Sequence, residues 1–172
     1  MNPLFRTALF SILFFASFQI TSAQKITTAL ELSNYFSSIT DSMYKYGQQW
    51  GNLFSASYNS KKFGSLTPMR VKIEEYTTRK ILELTAMKDV KGSENFRAAM
   101  LDFLNYEKKM IKVYFASFEK LDSSATDEDI QKHMNDLVAV AREEDAELQK
   151  VKEAQEEYAK KNGFEIEKTT DQ

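Results

Sequence analysis

Residues 32–53 read "LSNYFSSITDSMYKYGQQWGNL", and their apolar side chains recur at alternating spacings of four and three residues. The series consists of Leu32, Phe36, Ile39, Met43, Tyr46, Trp50 and Leu53. Two apolar positions in every seven residues are typical of helices that pack side by side in a left-handed bundle. The pattern therefore predicts a long first helix, from about Ile26 to Tyr58, with one face against other helices.

Three further stretches have helical spacing, and short breaks separate them. Thr67 and Pro68 indicate the start of a second helix, with threonine as the N-cap, and Gly92 marks its end. Ser93 is predicted to cap a third helix, and Thr126 a fourth that ends at "KKNG". The apolar positions of the third helix are Phe96, Met100, Phe103, Met110, Tyr114 and Leu121, with Leu101, Leu104, Ile111, Phe115 and Phe118 beside them. So wide a stripe predicts a helix that is buried on two sides.

The links between the last three helices are only a few residues long, which forces neighbouring helices to run in opposite directions. No stretch after residue 23 alternates with the period of a strand for long enough to predict one. The predicted fold class is therefore all-α, an antiparallel up-down-up-down four-helix bundle over residues 24–163. A polar tail follows over residues 164–172, with Phe164 and Ile166 as candidates to fold back on the bundle end.

The N-terminal residues have the pattern of a secretory signal peptide. Arg6 precedes an apolar run from about Ala8 to Ile20, and small residues end the segment at Ala23. Because the run is shorter than the roughly 20 residues of a membrane-spanning helix, cleavage after Ala23 is favoured over a retained anchor. The junction with Gln24 resembles that of many bacterial exported proteins. We therefore expect export to the periplasm or cell surface, without stable membrane insertion after cleavage.

Composition narrows the classes of function. The chain has 172 residues, no cysteine and a net charge of −2, and loss of residues 1–23 removes one basic and no acidic side chain, which gives −3. A mildly acidic chain without a basic tract gives no indication of nucleic-acid binding. Without cysteine there is neither a disulfide nor a thiolate metal site, so the core of a single domain must supply the stability.

Candidates for chemistry are few. His133 is the only histidine, and Asp129 and Asp136 share its side of the fourth helix. This trio is either a weak site for a divalent metal or, as we favour, a solvated surface cluster. A b-type haem held by His133 and by Met43 or Met69 is an open alternative, although a helical core explains the methionines. With no Gly-x-Ser-x-Gly sequence and no phosphate-binding loop, we predict no enzyme activity, no cofactor and no catalytic, cofactor-binding or metal-binding residue.

Gly47 and Gly51 interrupt the first helix, where each costs about 1 kcal/mol relative to alanine. Other small residues follow the same side of that helix: Ser33, Ser37, Thr40 and Ser55. A strip of small residues predicts the close approach of a neighbouring helix, which we favour. The alternatives are a local bend of the helix and a cleft with the glycines as floor and Tyr44, Tyr46 and Trp50 as walls.

The second half of the chain carries the one resemblance to known proteins. "GSENFRAAMLDFLNYEKKMIKVYFASFEKL", residues 92–121, and "EAQEEYAKKNGFEIEK", residues 153–168, resemble a family of small bacterial exported or surface-associated proteins of unassigned function. The resemblance implies a periplasmic or surface-exposed helical bundle and carries over no functional residue. Residues 142–161 mix charges at helical spacing, which favours a solvated face over a coiled-coil partner surface.

These observations predict an exported, non-enzymatic helical bundle that acts as a binding or interaction module. The expected partner is another protein or an envelope component, with a homo-oligomer left open. The alternative function is that of a carrier whose interior holds an apolar small molecule or a cofactor. A third class, an envelope hydrolase, would require a polar constellation inside the bundle.

Overall fold

The structure, a computed structural model, describes residues 26–166. The predicted signal peptide over residues 1–23 and the last part of the polar tail lie outside the described residues. Four long helices follow one another: α1 (Ala29–Ser60), α2 (Thr67–Ala86), α3 (Glu94–Met110) and α4 (Asp127–Asn162). Between residues 26 and 166 there is no strand. The prediction of an all-α fold with four helices is therefore confirmed.

Each helix packs chiefly on two others. Helices α1 and α3 each contact both α2 and α4, which gives a four-sided arrangement in chain order. Residues near the start of one helix meet residues near the end of its neighbour. The pairs are Tyr35 with Glu83, Arg70 with Glu119, Phe96 with Tyr158, and Ser33 with Gln155. Contacts in this order are those of neighbouring helices that run in opposite directions.

The core follows the apolar repeat of α1 for most of the length of that helix. Leu32, Phe36, Ile39, Met43 and Trp50 are buried, and Tyr46 is half-buried. The last position of the repeat is wrong as a core position, because Leu53 is 40% exposed and Ser57 is buried in its place. A strict seven-residue repeat drifts around a straight helix with 3.6 residues per turn, and this drift moves the buried face by the end of α1.

The ends of α1 and α4 are set by side chains that satisfy free backbone groups. Thr28 and Glu31 form a capping box at the start of α1, and Thr126 and Asp129 form another at the start of α4. Gly163 ends α4 in the left-handed conformation, with φ of 71°. The predicted start and end of the fourth helix are thereby confirmed.

The predicted start of α2 at Thr67 and Pro68 is confirmed, but the predicted cap and the predicted end of this helix are wrong. Thr67 is the first helical residue and makes no side-chain cap, because the 3₁₀ turn Phe63–Leu66 leads directly into the helix and buries Leu66. The helix ends at Ala86, six residues before Gly92. Beyond it, the carboxylate of Asp89 accepts hydrogen bonds from the backbone N–H groups of Gly92 and Ser93. In a longer helix these two N–H groups would donate to backbone carbonyl oxygens, whereas in this turn they donate to the Asp89 side chain.

The apolar stripe predicted one continuous third helix, but the structure divides this part of the chain into three segments. After Met110 the chain forms the π-helical segment Ile111–Phe115 and then the short α-helical stretch Ala116–Phe118. A π-helical turn holds more residues than an α-helical one and so changes the direction of the side chains that follow. In this chain Phe115 stacks on Trp50, with ring centroids 4.0 Å apart.

Burial is uneven along α4. Its buried residues are Ile130 near the start and Val151, Tyr158 and Ala159 near the end. Residues 131–150, called the central segment of α4 below, contain no buried side chain.

Among residues 26–166, no helix combines the length and the apolar character that crossing a membrane requires.

Candidate functional site

The surface between α1 and α2 carries an ordered group of tyrosines and cationic side chains. Its members, called the tyrosine–cation face below, are Tyr35, Tyr46, Tyr76, Lys72, Arg79 and Lys80. The tyrosines are half-buried, whereas Lys72 and Arg79 are exposed. A cation over the face of an aromatic ring is attracted by the electrons of the ring, which holds such side chains in place.

Tyr35 stands at the centre of a hydrogen-bonded network that joins the two helices. Its hydroxyl donates to Glu83 over 2.6 Å, and the Lys80 ammonium donates to both Tyr35 and Glu83, over 3.2 and 2.7 Å. Burial and then the hydrogen bond to Glu83 raise the pKa of Tyr35 above its ordinary value. The hydroxyl therefore keeps its proton and stays a donor.

Tyr46 and Tyr76 continue the face. Their rings meet edge to face with centroids 5.1 Å apart. The Lys72 ammonium lies 5.3 Å from the centre of the Tyr46 ring, and the Arg79 guanidinium lies 5.5 Å from that of Tyr76. The face contains three cations and is bordered by two carboxylates: Glu83, which pairs with Arg79 and Lys80, and Glu75, which lines a hollow together with Arg79.

A buried carboxyl group lies between α3 and α4. Glu107 is 5% exposed and lies beside Glu144 of α4, and two carboxyl groups can share a hydrogen bond only when one of them holds a proton. Burial and then the charge of Glu144 raise the pKa of Glu107 to about 9. At neutral pH the Glu107–Glu144 pair therefore holds a proton.

Tyr106 attaches α3 to the backbone of α4 beside that pair. Its hydroxyl donates to the carbonyl oxygen of Val140 over 2.6 Å and lies 3.4 Å from the carboxylate of Glu143. Burial, followed by the negative charge of Glu143, raises the pKa of Tyr106 to about 12. Its hydrogen bond is therefore kept over the range in which Glu107 titrates.

Trp50 is the centre of an aromatic cluster inside the bundle. Its ring stacks on Phe115 and meets the edge of Phe118 at 5.7 Å between centroids. The indole nitrogen is buried without a hydrogen-bond partner. The rings fill the interior at this level, so a carrier function would require them to move apart.

The prediction that a helix packs closely on Gly47 and Gly51 is wrong. A Cβ atom added at either position would meet no neighbouring atom within 4 Å. Gly47 is exposed and Gly51 is half-buried. At the other end of the same strip, Ser33 and Ser37 do accept hydrogen bonds from Gln155 of α4. The strip of small residues is therefore in contact near the start of α1 and open further along.

The predicted cleft above the glycines is also wrong, because its three walls point to different places. Tyr44 is 69% exposed, Tyr46 packs on Tyr76 of α2, and Trp50 is inside the core. Two shallow hollows exist elsewhere on the described part of the chain, one on the outside of α4 near Asp136 and one on the outside of α2 near Leu82. Both hollows are open to solvent.

The trio around His133 is not brought together as a ligand set. The carboxylate of Asp129 is used in the cap of α4, where it accepts hydrogen bonds from Thr126 over 2.7 and 3.0 Å. The ring of His133 packs on Phe118 at 5.6 Å between centroids, whereas Asp136 borders the hollow on α4. Within residues 26–166, no three histidine, aspartate or glutamate side chains are grouped to hold a metal.

The residues named for a haem have neighbours of their own. The sulfur of Met43 accepts a hydrogen bond from the hydroxyl of Thr77 over 3.6 Å, and Met69 is 8% exposed in the core.

Near the end of the described residues, Phe164 packs edge to face on Tyr158. The charged residues 142–161 lie on the surface for the most part, with ion pairs such as Glu147–Lys150.

Glu107 was not identified from the sequence as a buried acid, although its position on the apolar stripe of α3 indicates one. It lies seven residues after Met100 and three before Met110, and therefore on the apolar stripe of α3. Long charged side chains usually reach water from the edge of such a stripe. The signal was an acid in the middle of the stripe without a basic residue on the same face.

Comparison of the chain with protein-family models, with curated proteins and with solved structures finds no match. The resemblance of residues 92–121 and 153–168 to a family of bacterial exported proteins therefore stays a prediction.

Proposed function

We propose that this protein is an exported, non-enzymatic interaction module that binds a partner protein through the tyrosine–cation face. The observation that supports the proposal is the ordered layer of three tyrosines and three cations on the outside of α1 and α2. Tyrosine and arginine are enriched at the centres of protein interfaces, because they bury a large area and still offer polar groups. Half-buried rings that are already held by neighbours lose little conformational entropy on binding.

The charge of the face favours a partner with acidic side chains. Lys72 and Arg79 are both exposed, and Glu83 is shared between Lys80 at 2.7 Å and Arg79 at 3.9 Å. Positive charge on a chain that is negative overall guides acidic partners to this face by long-range attraction. The expected location is the periplasm or the cell surface, as the N-terminal pattern predicts.

A capture experiment with charge reversal tests the proposal. The protein, purified from its own source, is used to capture partners from envelope extract, in parallel with the double variant Lys72→Glu/Arg79→Glu. We expect a protein that the wild type captures to be reduced at least tenfold with this variant, and its capture to weaken as salt rises. Mass spectrometry identifies and quantifies what is bound.

The matched control is Lys132→Glu/Arg142→Glu, which makes the same change of charge at exposed positions of α4. Circular dichroism establishes that both double variants are folded. Equal capture of the partner by the wild type and by Lys72→Glu/Arg79→Glu would reject the proposed surface. An equal loss of capture with the control Lys132→Glu/Arg142→Glu would reject it as well.

A further inference from the structure

The central segment of α4 contacts the bundle through half-buried side chains alone. It has no buried side chain over residues 131–150, whereas Ile130 before it and Val151 after it are buried. Its apolar contacts with the core come from half-buried side chains, among them Leu137, Val140 and Leu148. The free energy of local opening depends on such contacts, so this segment separates from the bundle at a lower cost than the ends of α4.

At Gly47 and Gly51, helix α1 makes no close contact with the central segment. Gly51 lies 18 residues after Ser33, which is five helical turns, and therefore on the same side of α1. Ser33 contacts Gln155 near the end of α4, but a Cβ at Gly51 or Gly47 would meet no atom within 4 Å. The central segment is therefore held mainly by its contacts with α3 and by the packing of His133 on Phe118.

On that side, α3 presents the buried carboxyl of Glu107 to Glu144 of the central segment. Glu144 is the charged group that acts on Glu107. Lys108 and Arg142 are the cations nearest in sequence to Glu107 and Glu144, and neither forms an ion pair with them. The remaining charged groups between neighbouring helices have partners elsewhere: Glu143 with Tyr106, Glu147 with Lys150, Arg70 with Glu74 and Glu119, Lys112 with Glu74, and Lys80 with Glu83 and Tyr35. No cation compensates a second negative charge at the Glu107–Glu144 pair among these groups.

We propose that the central segment of α4 is gated by a proton: it stays on α3 while the Glu107–Glu144 pair shares a proton and separates from α3 when the pair gives that proton to water. A buried carboxylate without a cation is costly, and two carboxylates in contact repel one another. Both costs are relieved when water reaches the pair, and the central segment is the neighbouring element without a fully buried side chain. The raised pKa of Glu107 agrees with this arrangement. The inference does not depend on the proposed function.

Distance measurements between spin labels test the inference. The chain has no cysteine, so labels can be placed on the full protein at Val71→Cys in α2 and Val138→Cys in α4, both exposed positions. Distances are recorded by double electron–electron resonance at pH 6 and pH 9.5, below the ordinary pKa of lysine and tyrosine. We expect a second population at longer distance at pH 9.5, which disappears when the sample returns to pH 6.

The control pair is Val71→Cys with Glu156→Cys, an exposed position near the anchored end of α4. Its distance is expected to stay the same at both pH values, and a change there would mean general unfolding and overturn the inference. Glu107→Gln, a neutral substitute of the same shape, is expected to abolish the response of the first pair.

An unchanged distance from Val71→Cys to Val138→Cys in the otherwise wild-type chain overturns the inference. A response of the same size in Glu107→Gln does so as well. Should that variant fail to fold, Glu144→Gln takes its place, since it removes the repelling charge from a half-exposed position. A response of undiminished size in Glu144→Gln has the same consequence.

Discussion

Glu107 occupies a position on α3 where the packing would suit an apolar side chain. It follows Phe103 and Leu104 by one helical turn and precedes Met110 and Ile111 by another, and all four are buried. A carboxylate at such a place would lose its hydration without gaining a cation. The protein avoids this cost by keeping the proton, which also avoids repulsion between the carboxylates of Glu107 and Glu144.

The stability of the fold is therefore expected to fall as the pH rises. The pKa of Glu107 is about 9 in the folded chain, against an ordinary value of 4.5. A raised pKa in the folded state contributes stability that is complete below pH 4.5 and is lost as the pH rises towards 9, by at most about 1.4 kcal/mol per pH unit. Glu107→Gln cannot lose a proton, so from pH 5.5 to 7.5 it should lose on the order of 2 kcal/mol less than the wild type. Urea unfolding followed by circular dichroism at both pH values measures the difference.

The matched control is Glu157→Gln, which neutralises an exposed glutamate of α4. This variant should keep the pH dependence of the wild type, because an exposed carboxyl changes its environment little on folding. Parallel curves for the wild type and Glu107→Gln would contradict the assignment of the proton to Glu107.

At the scale of a helix, α1 has room for larger side chains at the two positions that interrupt its repeat. A Cβ at Gly47 or Gly51 meets open space, and both residues lie within a regular α-helix. Gly47→Ala and Gly51→Ala should therefore each raise the free energy of unfolding by about 0.5–1 kcal/mol, because alanine loses less backbone entropy in a helix. Urea unfolding of the two single variants gives the values.

Gly92→Ala is the contrasting variant. Gly92 has φ of 77°, and a Cβ there would collide with the ammonium of Lys161. The substitution should lower stability, because alanine rarely adopts positive φ. A loss of stability in Gly47→Ala as well would show that a neighbour does approach α1 at that point.

The helices were predictable from the sequence because apolar spacing and caps are local features. The α1 repeat and the Thr126 cap each depend on residues within a few turns of one another. The surroundings of Gly51 were not predictable, since the same small side chain fits a close contact and an open surface. Nor was the π-helical segment Ile111–Phe115, which is accompanied by a distant contact between Phe115 and Trp50.

The tyrosine–cation face was not predictable either, because it depends on how two helices pack together. Tyr46 and Tyr76 both lie on apolar stripes, and their spacing predicts a core position. Only the pairing of α1 with α2 turns these rings to the edge of the core, where Lys72 and Arg79 cover them. A sequence pattern assigns a residue to a helix face, but the neighbouring helix decides whether that face is covered.

Across the whole molecule, the four helices contribute unequally to the core. Helix α3 lies between α2 and α4 and buries Phe96, Met100, Phe103 and Leu104 among others, whereas α4 is longer and buries residues only near its ends. A bundle built in this way is expected to open unevenly, since the cost of local opening follows the buried contacts of each part. The weakest part should be the middle of its longest helix.

Hydrogen exchange can map this inequality without any substitution. At pH 6, where the Glu107–Glu144 pair holds its proton, amides of α3 should exchange only on global unfolding, and those over residues 131–150 by local opening at a lower free energy. After correction for intrinsic rates, protection of residues 131–150 should be at least tenfold lower than that of Glu94–Met110. Residues 151–162 of the same helix serve as the internal reference, because Val151, Tyr158 and Ala159 anchor them, and their protection should approach that of α3. Uniform protection along α4 would mean that half-buried contacts such as those of Leu137 and Leu148 hold the central segment as firmly as buried ones, and the mechanical basis for its separation from α3 would be lost.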